Sequence, residues 1–75
     1  MSLRGYSYRL VQANRGADSK HIGVRLGKWC IARDIPVAMV ADKFGVSRMT
    51  IYQWFTGAAR PHKNNAEQIE KLLKA

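Results

Sequence analysis

"VAMVADKFGVSRMTIYQWFTG", residues 37–57, interrupts a helical pattern of apolar residues at Gly45 and restarts it at Ser47. Val37, Val40, Ala41 and Phe44 recur at spacings of three, one and three, which places them on one helical face. Gly45 can adopt positive φ without a Cβ clash and so ends that helix. Ser47 has the side chain preferred at an N-cap, where its oxygen accepts a bond from an N–H of the next turn. Val46 before the cap and Ile51 after it are spaced as a hydrophobic staple. Ile51, Trp54 and Phe55 form the inner face of the second helix, and Arg48, Met49, Tyr52 and Gln53 are left outward. Gly57 stands where a C-terminal glycine belongs.

Two short helices joined by "FGV" describe a helix-turn-helix, in which the glycine permits the sharp crossing. Ala41 faces inward four residues before Gly45, where a larger side chain would hold the helices apart. The second helix then rests on the first and projects its N-terminal outward residues away from the domain.

Working outward, Pro36 suits the start of the first of these helices and turns Ile35 away from helical dihedrals. An earlier helix is therefore expected from Lys20 to Arg33, capped by Asp18 or Ser19, with Ile22, Leu26, Trp29 and Cys30 on its inner face. Gly23 and Gly27, four apart, either fray its start or let another backbone approach; the frayed start is the expectation. After the loop "AARPHK" a last helix is expected from about Asn65 to Lys74, with Asn64 and Glu67 at capping-box spacing and Ala66, Ile69, Leu72 and Leu73 as its stripe. Residues 1–19 carry Arg4, Arg9 and Arg15, and Tyr6, Tyr8 and Leu10 alternate with less apolar neighbours. They are read as a basic N-terminal arm, flexible or a short strand, ahead of a domain over residues 20–75. The fold class is all-α: a compact bundle of four to five short helices containing the helix-turn-helix.

Composition narrows the partners. Thirteen Lys+Arg against five Asp+Glu give 75 residues a net charge of +8. That balance points to polyanions. No apolar run approaches a membrane span, no signal-peptide pattern opens the chain, and one cysteine excludes an internal disulfide. A basic, intracellular single domain is expected. His21 and His62 have no ligand-spaced partner, so no metal is expected, and Cys30 reads as a small buried hydrophobe. No catalytic constellation, glycine-rich phosphate loop, cofactor motif or small-molecule site is evident, so the chain is not read as an enzyme. Trp29, Trp54 and Phe55 read as core rather than as a base-stacking platform.

The stretch "VADKFGVSRMTIYQWFTG" resembles the phage-repressor helix-turn-helix family that includes the lambda repressor and Cro proteins, with the small residue, glycine and apolar positions in register. The resemblance implies that the helix starting at Ser47 lies in the major groove of double-stranded DNA, with Arg48, Met49 and Gln53 facing base edges. Side-chain chemistry agrees: arginine can fork onto guanine, a glutamine amide onto adenine, and methionine can pack on a thymine methyl. Val37 matches a position where the family often has a polar contact residue. Lys43, Ser47, Tyr52, Thr56, Arg60 and Lys63 are the candidate backbone contacts; from Lys43 to Ala66 there are four Lys+Arg and no acid. Arg4, Arg9 and Arg15 are candidate arm contacts, following the duplex or entering its minor groove. One recognition helix reads few base pairs, so a homodimer is expected, joined through Leu72 or Leu73 or by strand pairing of the Tyr6-Tyr8-Leu10 stretch. The implied protein is a Cro-like or repressor-like transcriptional regulator in the cytoplasm of a bacterial or phage-infected cell, on the nucleoid. Its alternatives are an excisionase-like or architectural DNA-binding protein, or a protein-interaction adaptor that kept the fold.

Overall fold

The computed structural model describes residues 6–75. Its elements are α1 (Tyr8–Gly16), α2 (Ile22–Ala32), α3 (Val37–Phe44), α4 (Arg48–Thr56) and α5 (Lys63–Lys74). Every regular element among the described residues is a helix, as expected for the class. α2 is the hub: it packs against α1, α4 and α5, while α3 lies on α4.

The turn between α3 and α4 forms as its residue types require. Gly45 takes φ 67°, and its N–H donates to Asp42 O while that of Val46 donates to Ala41 O at 3.0 Å. These paired bonds satisfy carbonyls that a helix end otherwise leaves open. Ser47 Oγ accepts from the Thr50 N–H at 3.1 Å, as an N-cap does. Ala41, Phe44, Ile51 and Trp54 are buried where the two helices cross, and Phe44 meets Trp54 edge-on with ring centroids 5.9 Å apart. α2 ends in the same bonding pattern as α3, Asp34 N–H to Ile31 O and Ile35 N–H to Cys30 O. There Asp34 holds the left-handed position at φ 56° that Gly45 holds in α3.

The N-terminal segment departs from expectation. Residues 8–16 form a helix and not a flexible arm or short strand. Ser7 caps it by accepting from the Leu10 N–H, and Tyr6 and Leu10 enter the same core as Leu26, Ile51, Phe55 and Ile69. Tyr6 stacks on Phe55 and donates its hydroxyl to Ile35 O, tying the start of α1 to the α2–α3 turn. Burial pushes the Tyr6 phenol upward from its ordinary range. Helix formation also removes the alternation that would have served strand pairing between two copies, so that candidate dimer seam is withdrawn.

Asn14 explains why α1 docks. It is a buried polar residue, 3% exposed, on the inner face of α1. Its Nδ2 donates to Val24 O of α2 at 3.1 Å and to Phe55 O of α4 at 2.7 Å. Phe55 lies in the last turn of α4, where carbonyls lack an intrahelical donor. Gly27 makes room: a Cβ there would run into Asn14 Nδ2 and come within 2.9 Å of Phe55 Cγ. Likewise a Cβ on Gly23 would lie 2.7 Å from Trp54 O. The two glycines are therefore close-approach sites in a well-formed helix, correcting the expectation of a frayed start. α2 begins at Ile22 with His21 as N-cap, and neither Asp18 nor Ser19 caps it.

α5 starts at Lys63 with His62 as its N-cap, ahead of the Asn64 capping box expected from spacing. Its inner stripe holds: Ile69 is fully buried and Leu72 and Leu73 pack at the core's edge.

Gly27→Ala is expected to destabilise the fold by about 1–3 kcal/mol, since the pinned Asn14 amide cannot yield without losing its bonds. Gly16→Ala, with nothing within 4 Å of the added carbon, is expected to be near neutral; urea denaturation of both variants checks the contrast. Asn14→Ala leaves the Phe55 carbonyl without its donor and is expected to cost about 2–3 kcal/mol, read as a lowered Tm.

Candidate nucleic-acid interface

α4 presents two unlike faces because its apolar residues, Ile51, Trp54 and Phe55, fall on one side of the helix and are buried. Arg48, Met49, Tyr52 and Gln53 are exposed on the other, with Met49 63% exposed. No acid occupies the first turn of α4, so the positive end of its backbone dipole and the Arg48 guanidinium reinforce one another. This arrangement offers donors and an apolar tip on a rigid rod narrow enough for a major groove. All three candidate base contacts stand together on it.

The candidate backbone contacts divide. Ser47 is exposed at the start of α4, and Lys43 is exposed in the last turn of α3. Arg60 and Lys63 are exposed beyond its far end. Thr56 behaves differently: its hydroxyl donates to Tyr52 O at 2.9 Å, closing the end of its own helix. A phosphate oxygen requires a donor, and in this structure that proton is engaged. Val37 is 3% exposed and belongs to the core. It cannot serve the contact that the resemblance assigns to its position.

Arg4 lies outside the described residues. Arg9 and Arg15, expected on one arm, part company on α1. Arg9 lines a groove with Ser7, Leu10, Ala13, Tyr52 and Thr56, beside the exposed face of α4. Arg15 lines a separate cleft with Val11, Asn14, Lys28, Ile31 and Ala32 and does not share the groove of Arg9. Lys28, which also lines that cleft, donates its ammonium to Asn14 O at 3.2 Å. Lys20 and His21 share a cleft with Asp18 and Arg60 between the loop before α2 and the loop before α5. Their separation from Arg60 along the chain leaves no local signal that could have joined them.

A family model described as helix-turn-helix matches residues 26–74. The chain belongs to the helix-turn-helix family. The match is to the lambda repressor and Cro type, and membership of this family of DNA-binding regulators makes the chain a DNA-binding helix-turn-helix protein. No curated protein and no solved structure matches it. The family match spans α3 and α4 with the turn between them, and α5, but α1 lies outside it. Among the described residues no group of three His, Cys, Asp or Glu could hold a metal ion. No described helix is long and apolar enough to cross a membrane.

Cys30 is a buried free thiol in this helix-turn-helix domain. It is 1% exposed, and burial pushes its thiol from 9.0 up to about 12, opposed only by nearby Arg33. Because the folded state holds the proton more tightly, stability contributed at Cys30 is full below pH 9 and falls as pH rises from 9 towards 12. Folded protein is expected to resist a thiol-alkylating reagent at neutral pH and to react once denatured, checked by mass spectrometry with and without urea.

Proposed function

We infer that the protein is a sequence-specific regulator of the Cro or repressor type, which occludes a promoter by placing α4 in the major groove of double-stranded DNA. The observation that carries this is the exposed face of α4, where Arg48, Met49 and Gln53 stand clear of the core on a helix whose other face is buried. Arg48 reads guanine, Gln53 adenine and Met49 a thymine methyl. Lys43, Ser47, Tyr52, Arg60 and Lys63 hold the backbone around them, fixing register without reading sequence.

Two copies bind as a homodimer on a pseudo-palindrome with half-sites about 34 Å apart. The end of the molecule near Leu72 supports pairing: Leu72 lines an apolar groove of about 240 Å³ with Trp29, Met39 and Phe44, and Met39 is 61% exposed. The site of action is the nucleoid of a bacterial or phage-infected cell.

Selection from random duplex DNA, sequenced and repeated at two salt concentrations, tests the reading. A short inverted repeat is the expected outcome. Salt-steep binding with no motif would replace it by an architectural role, since phosphate neutralisation alone behaves so. No duplex binding at low salt would leave a protein-interaction adaptor. Arg48→Ala is expected to relax preference at one position per half-site, a loss of about 1–3 kcal/mol of discrimination in competition binding.

A further inference from the structure

α1 lies outside the family match, yet it borders the exposed face of the recognition helix. The groove between them, about 440 Å³, is lined by Ser7, Arg9, Leu10 and Ala13 from the α1 side and by Tyr52 and Thr56 from α4. Leu10 is buried, while Arg9 and Tyr52 are exposed. Tyr52 follows Arg48 by one helical turn, so both lie on the same strip of α4. Arg9 thus borders the strip of α4 that carries Arg48 and Tyr52. The Asn14 bonds to α2 and α4 hold α1 in this position.

We propose that α1 is a second wall of the DNA interface, with Arg9 and Tyr52 gripping one backbone phosphate beside the base pair that Arg48 faces. The proposal rests on the function inferred above. A guanidinium offers two parallel N–H donors to a phosphate, and a phenol adds an O–H donor beside them. Phosphate contact also suits a residue outside the motif, because it adds affinity and register without changing which bases are read.

The test compares Arg9→Ala with Arg15→Ala, which removes the same charge from the same helix but on the cleft facing α2. Binding of the full chain to its selected duplex is titrated over a range of salt, with circular dichroism melts to verify folding. Arg9→Ala is expected to weaken binding about three- to ten-fold and to lower the salt slope by roughly one, with base preferences unchanged. Arg15→Ala is expected to keep the wild-type slope. In a scan of single methylphosphonate substitutions, one neutralised position should weaken the wild type and leave Arg9→Ala unaffected. Equal losses for the two variants, or a position-independent scan, would overturn the proposal while leaving the DNA-binding function standing. Failure of the wild type to bind any duplex would overturn both.

Discussion

The Asn14 carboxamide sits where three helices meet, and one amide nitrogen donates to two carbonyls of different elements, Val24 O and Phe55 O. In a dry interior such a group is costly unless satisfied, and satisfied it admits few alternative packings. Gly27 exists in this frame as the gap through which the amide reaches α4, and Gly23 lets the backbone around Trp54 come equally close. α2 and α4 are thereby held at close quarters beneath the exposed face of α4. Apolar packing supplies the bulk of the stability around it; the amide determines which packing is adopted.

The helix-turn-helix was legible in the chain because its determinants are local. A left-handed glycine, a hydroxyl cap two residues later and a small residue four before the glycine all act within one short stretch. The first helix was not legible for a physical reason. The inward residues are Tyr6 just ahead of it and Leu10 and Asn14 within it, and the last of these reads as polar in any hydropathy pattern although it is buried. What compensates the asparagine is a carbonyl 41 residues away, invisible to periodicity. The two glycines of α2 were ambiguous for the same reason: whether such a pair weakens a helix or admits a neighbour depends on the neighbour. The start of α5 was displaced because Asn64 and Glu67 match a cap by spacing, while His62 occupies the cap without a side-chain bond.

Of the candidate interface, the residues within α4 are named by the motif, and those brought together by folding are not. Arg9 and Tyr52 line one groove only because α1 is a docked helix, and Arg60 shares a cleft with Lys20 and His21 only through two adjacent loops. Thr56 shows the reverse case: a polar side chain at a suitable position whose proton serves its own helix end. Val37 shows another, with a family contact position taken over by the core.

Both acceptors of the Asn14 amide are main-chain oxygens, which every amino acid possesses. The exposed residues Arg48, Met49 and Gln53 contribute no side chain to the buried core. The proposed reading face and the buried face thus draw on different atoms of the same helix. A lineage bearing this scaffold can rewrite its outward letters one by one without crossing a valley of misfolded intermediates.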